Sequence, residues 1–187
     1  MRSTVAAVHE LVTRLEPVDN LEGEHRGHVL GWLRSTDDVY RRVKPAEPGR
    51  HLVSYVVPVD PADGGVLLVE HRNAGLWLPP GGHVEVGEDP YDTAVRELKE
   101  ELGVTAKPSP EPLFLTVTET VGLDSGHIDV SLWYLVELSR SQEVQPDAGE
   151  FHQARWWAPV EIATADPAGF DPHLGRFLRK LSAALGR

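Results

Sequence analysis

Glu97, Glu100 and Glu101 stand at positions i, i+3 and i+4 of the segment YDTAVRELKEELGV, so a helix there gathers three carboxylates on one side. On a helical wheel they fill an arc of roughly 100°, centred about 135° from the apolar stripe of Tyr91, Val95, Leu98 and Leu102. Like charges at these spacings cost about 0.3 kcal/mol per pair. Carboxylates are hard oxygen ligands, suited to Mg²⁺ or Mn²⁺ and poor for soft metals. A cation held there could neutralise phosphate oxygens and activate water. The loop Pro79-Pro80-Gly81-Gly82 just upstream lets backbone approach a ligand closely. The competing reading is a solvated acidic face softened by Arg96 and Lys99.

The elements that must position these acids are legible around them. Asp89 can cap a helix over 90–102, Pro90 suits its first turn, and Gly103 suits the left-handed residue that ends it. Upstream, HLVSYVVPVD and VLLVEHR read as two strands joined at PADGG, with Pro58 ending the first or placing it at an edge. Downstream come strands near 113–121 and 127–138, a short strand at ARWW, and an amphipathic helix in DPHLGRFLRKLSAAL. One of Trp156 and Trp157 should enter the core. The first 48 residues predict helices over 3–16, capped by Ser3 or Thr4, and over 21–34, with a shorter third from Ser35. Residues 1–48 are therefore expected to form a helical extension packing on a main domain at 49–187. Strands interleaved with helices give an α/β fold with a mixed sheet.

Lys and Arg total 18 against 29 Asp and Glu, a formal charge of −11. No overall basic field exists to attract a nucleic-acid polymer, so metal ions and local groups must supply positive charge to any phosphate ligand. The chain contains no cysteine, which excludes thiol catalysis and Cys-ligated zinc. The beginning, MRSTVAAVHELVTRLEP, lacks the continuous apolar core of a signal peptide, and no run is long enough to cross a bilayer. A cytoplasmic protein without membrane contact is expected.

Further candidates come from alternation. In HIDVSLWYLV one face is apolar, and the other carries His127, Asp129, Ser131 and Trp133, a set that could line a substrate cleft with the indole stacking on a base or sugar. The plainer reading is a solvent-facing or covered strand. Arg72 is a candidate phosphate clamp, His71 and His83 flank the Gly-rich loop, and Glu150 and His152 precede ARWW.

The stretch from Gly82 to Val104 resembles the Nudix box, G, five residues, E, seven residues, R-E-U-x-E-E-x-G-U, with U bulky and aliphatic. Gly82, Glu88, Arg96, Glu97, Leu98, Glu100, Glu101, Gly103 and Val104 meet every constrained position. The resemblance reaches from about 51 to 160 and implies an α/β/α sandwich with a mixed sheet. It further implies divalent-metal-dependent hydrolysis of a pyrophosphate bond in a nucleoside diphosphate linked to another moiety. Carried over by position, Glu97 and Glu101 are the principal metal ligands, Glu100 a further ligand or base, and Gly82 a source of backbone oxygen. Arg96 orients the glutamates, Glu88 and Gly103 serve structure, and Glu150 is an extra acid or base in a later loop. Mg²⁺, with Mn²⁺ as substitute, is the implied cofactor. Nucleoside triphosphates and nucleotide sugars stay open, because Thr118, Glu119 and Thr120 occupy the place where other subgroups carry proline or tyrosine. The alternative is a non-catalytic nucleotide or metabolite sensor on the same scaffold. Helical leads like residues 1–48 pack on the sheet or make a homodimer in some family members.

Overall fold

The structure is a computed structural model that describes residues 4–43, 48–120 and 126–187. Two helices, α1 (Thr4–Arg14) and α2 (Asn20–Leu33), precede the first strand, β1 (Arg50–Val59). Ser3, one of the two expected caps of α1, lies outside the described residues. Then follow β2 (Val66–His71), β3 (Leu76–Leu78), β4 (Gly81–His83), α3 (Pro90–Leu102), β5 (Phe114–Glu119), β6 (Ile128–Glu137) and β7 (Phe151–Trp157). Helices α4 (Pro159–Thr164) and α5 (Leu174–Ala184) close the chain, with a 3₁₀ turn at Pro167–Gly169 between them.

The seven strands form one mixed sheet with the main order β3-β2-β1-β6-β5; β4 pairs with β1, and β7 with β2. β1 and β6 are parallel over ten residue pairs, and the other pairings are antiparallel. Strand alternation sends side chains to two cores. One holds Leu52, Val56, Leu67 and Leu132 under Val8, Val29 and Leu98 of α1, α2 and α3. The other holds Val57, Leu68, Phe114 and Trp133 under Leu174, Phe177 and Leu181 of α5. The α/β/α layering and the N-terminal helices follow the sequence expectation. Trp157 enters the second core, whereas Trp156 packs against the first.

Two expectations need correction. β1 does not end at Pro58 or lie at an edge; it runs through to Val59 in the middle of the sheet. The amide of Val56 donates to the Pro80 carbonyl, so the nitrogen of Pro58 points the same way, away from β6. On that side β2 joins only at Val59↔Val66, and no donor is required from residue 58. Residues 35–43 also form no helix. Val39 is buried, and its carbonyl accepts the Leu52 amide at 2.8 Å, so this segment serves the sheet.

β5 is the last strand of the sheet, and α2 covers its outward amides with side-chain acceptors. Glu22 Oε1 accepts the Leu115 amide and His25 Nδ1 the Val117 amide, each at 3.2 Å. Polar side chains thus close an edge that would otherwise offer unpaired backbone donors.

Candidate functional site

α3 is held at both ends. Asp89 accepts the Tyr91 amide at 2.9 Å, and Gly103 stops the helix in the left-handed region. Inside the sheet, Ser54 Oγ donates to the Pro90 carbonyl at 2.7 Å and pins the helix start to β1. With its apolar stripe fixed by Leu98 and Leu102, α3 turns Glu97 and Glu101 toward β4 and a cavity of about 860 Å³.

Glu97 is 9% exposed and Glu101 5%. The backbone meets them closely: a Cβ on Gly82 would run into the Glu97 carboxylate, so any other residue there would push that acid aside. The Gly81 amide donates to Glu101 Oε2 at 2.7 Å. Burial, reinforced by the Glu97 charge, pushes the Glu101 carboxyl up to about 9. Burial also raises Glu97, although Arg96 pulls the other way.

Arg96 holds the loop and helix together. Its guanidinium grips both oxygens of Glu88 at 2.9 and 3.0 Å, reaches Glu97 at 2.7 Å, and touches Glu100 at 3.1 Å. Burial alone would raise Glu88, but Arg96, the Thr93 hydroxyl and the Glu85 amide outweigh it and hold that carboxyl below its usual value. Glu88 therefore braces the loop. Glu100 is 60% exposed and stays on Arg96 at the rim, outside the cavity wall. Among the described residues no Lys or Arg forms an ion pair with Glu101.

The same cavity is lined by Glu150, Arg72, His127 and Asp129. Arg72 Nε donates to the carbonyls of Ala148 and Phe151, so this side chain shapes the loop that carries Glu150. His127 and Asp129 line the wall as their alternation predicts, but Trp133 does not. Its ring is fully buried against Tyr55, Phe114 and Phe177, and its indole N–H donates to Thr116 at 3.0 Å. The polar face of β6 ends at Ser131, and beyond it the same face runs under α5. His152 is exposed and lies outside the cavity.

A family model described as the NUDIX domain matches residues 49–181. The chain belongs to the Nudix family. It is 31% identical over 106 residues to the phosphatase NudJ of Escherichia coli K12, covering 56% of this chain and 67% of that protein. The Ap4A hydrolase of Caenorhabditis elegans superposes with a TM-score of 0.57 at 27% identity, over 72% of this chain and 97% of that one. A NUDIX-family hydrolase from Clostridium perfringens gives the same TM-score at 24% identity, over 72% and 98%, a likeness of fold. The chain is accordingly a Nudix hydrolase, and no helix among the described residues is long and apolar enough to cross a membrane.

Reading the sequence missed Tyr55 and Asp171 on the wall of this Nudix cavity, and His51 buried behind it. His51 is fully buried beside Asp129, which it reaches only through the parallel β1–β6 pairing. A histidine opening an otherwise apolar strand was the available signal. Asp171, after the 3₁₀ turn, is pushed up to about 6 by burial, against the pull of the His173 amide. Nothing local in the sequence marks it.

Proposed function

We propose that this Nudix hydrolase cleaves a pyrophosphate linkage in a nucleoside diphosphate bonded to another group, of the nucleoside triphosphate or nucleotide-sugar class. The observation that carries the reading is the pair Glu97 and Glu101, buried side by side on a cavity wall, with Glu101 lacking a cationic partner among the described residues. An all-oxygen donor set of this kind fits a hard divalent ion such as Mg²⁺, with Mn²⁺ as substitute. Glu97 and Glu101 would hold it, beside the Gly82 backbone. When bound, the ion stabilises charge on the phosphate oxygens and acidifies a coordinated water.

The chain's own groups do the rest. Arg96 and the Gly81 amide fix the two carboxylates. The oxygen of water attacks phosphorus, its proton passes to a carboxylate, and the bridging P–O bond breaks to give two phosphate products. Glu150, which lines the cavity, would serve as the base, and Glu100 at the rim as the further acid. Arg72 sets the loop under Glu150 and faces the substrate's phosphates. The charge of −11 favours a small phosphate compound over a nucleic-acid polymer, in a cytoplasmic setting. Residues 1–48 act as an extension that packs on the main domain.

The test is a product analysis by mass spectrometry across nucleoside triphosphates, nucleotide sugars and dinucleotides, with Mg²⁺ or Mn²⁺. Turnover of one class, abolished by chelator, is expected. Binding without turnover of any compound would leave the sensor reading in its place.

A further inference from the structure

His51, His83, His127 and Asp129 each bring one ligand atom within 4.8 Å of all the others; His83, His127 and Asp129 line the cavity, and His51 lies fully buried behind them. The sheet assembles them. Parallel pairing sets His51 beside Asp129, β4 lays His83 against Val53 of β1, and His127 immediately precedes β6. None of the four belongs to the acidic motif on α3.

The Pro48 carbonyl orients the His51 ring. Its Nδ1 lies 3.0 Å from the Pro48 carbonyl oxygen. A carbonyl only accepts, so Nδ1 carries the hydrogen, and in the neutral ring Nε2 presents a lone pair. That lone pair faces Asp129 Oδ1 at 3.1 Å, in a side chain with no exposed surface and with no aligned hydrogen bond at Nε2. His83 Nε2 approaches the same oxygen at 3.7 Å, again without an aligned hydrogen bond, and His127 Nε2 lies 3.3 Å away. A ring lone pair aimed at a carboxylate oxygen, as in neutral His51, repels it unless a proton or another cation stands between them.

The separations suit a metal ion. A tetrahedron with bonds of about 2.0 Å has edges of about 3.3 Å, and the three N···O distances of 3.1, 3.3 and 3.7 Å bracket that length. A backbone carbonyl on the far ring nitrogen, as Pro48 provides for His51, is the usual outer partner of a metal-ligating histidine. Three imidazoles and one carboxylate select borderline divalent ions such as Zn²⁺ or Co²⁺ over Mg²⁺, the reverse of the preference of Glu97 and Glu101.

We propose that His51, His83, His127 and Asp129 form a second, nitrogen-rich cation site that takes a zinc-class divalent ion in the same cavity as the α3 carboxylates. Neutral histidines with Asp129 sum to one negative charge, and a divalent ion turns that wall net positive. The wall then attracts phosphate where the lone carboxylate would repel it.

The proposal is tested by titrating chelator-treated full-length protein with Co²⁺ and reading the visible ligand-field absorption and the bound stoichiometry. One equivalent giving an intense tetrahedral band, displaced by Zn²⁺ and unaffected by excess Mg²⁺, is expected. The band should survive in Glu101→Gln. It should weaken by about tenfold to a hundredfold in Co²⁺ affinity in His83→Ala, whose side chain is partly exposed, and in Asp129→Asn, which keeps the side-chain shape. No band in the wild type overturns the proposal, as does a band lost in Glu101→Gln and kept in both folded cluster variants. Because binding is read without substrate, this result is independent of whether the protein hydrolyses any nucleotide.

Discussion

Glu22 on α2 and Glu101 on α3 are both glutamates withdrawn from water at a helix–sheet junction, yet their surroundings differ in kind. Glu22, with no exposed surface, accepts the Val18 amide at 2.7 Å, the Leu115 amide at 3.2 Å and the Lys180 ammonium at 2.7 Å. Glu101 accepts the Gly81 amide and otherwise faces the Glu97 charge. A buried carboxylate is tolerable when the chain itself supplies its cation and donors. The contrast separates an acid that completes the fold from an acid to which the described residues offer no cation.

That distinction breaks most sharply at Glu101. Glu101→Gln keeps the shape of the side chain and removes its capacity for charge, so the protein should fold normally while turnover falls at least about tenfold to a hundredfold, the loss that even an outer partner of a metal ligand causes. The thermal stabilisation by Mg²⁺ expected of the wild type should disappear with it. Unchanged turnover, or a variant that unfolds, would move Glu101 into the same class as Glu22.

Glu22 predicts the opposite pattern. Glu22→Ala leaves Lys180 and two amides without their acceptor, at a cost of about 3 kcal/mol. Urea unfolding should register that loss, while kcat of the folded fraction and its response to Mg²⁺ stay as in the wild type. A variant of normal stability but low activity would erase the contrast.

The acids differ as well in how readily a sequence reveals them. α3 was readable because its signals are local: the Asp89 cap, the Gly103 stop, and an apolar stripe opposite three glutamates. What the stripe did not show was that Glu97 and Glu101 are buried while Glu100 stays at the rim, since that depends on how closely β4 approaches the helix. The helical pattern over 21–34 did not mark Glu22 and His25, which lie on the inner face of α2 with Val29 and Leu33. The reason is the partner: a strand edge asks for acceptors, and apolar periodicity cannot report that. His51 and Asp129 lie far apart in sequence and meet only through the pairing of β1 with β6, the non-local step that motif reading lacks. Trp133 shows the same limit, since alternation gave its face correctly but not the helix α5 that covers it.

The smallest effect sharpens the α2 side of the comparison. His25 Nδ1 accepts the Val117 amide, which requires that nitrogen to be unprotonated. Burial lowers the His25 pKa, the nearby Arg176 charge and His28 act the same way, and a backbone hydrogen bond with Leu115 and the Asp19 charge oppose them. His173, in edge contact with the His25 ring at 5.4 Å, is itself held low, at about 4, chiefly by burial. A histidine with a folded pKa below its unfolded value stabilises the protein above about pH 6.5 and loses that contribution as pH falls. His25→Ala should therefore cost about 1 kcal/mol at pH 8, the worth of one backbone hydrogen bond, and progressively less toward pH 5. Paired urea titrations of wild type and variant across that range give the difference directly. A difference that grows on acidification would mean that His25 acts as a cation at the β5 edge, and the neutral-acceptor account of how α2 closes the sheet would fail.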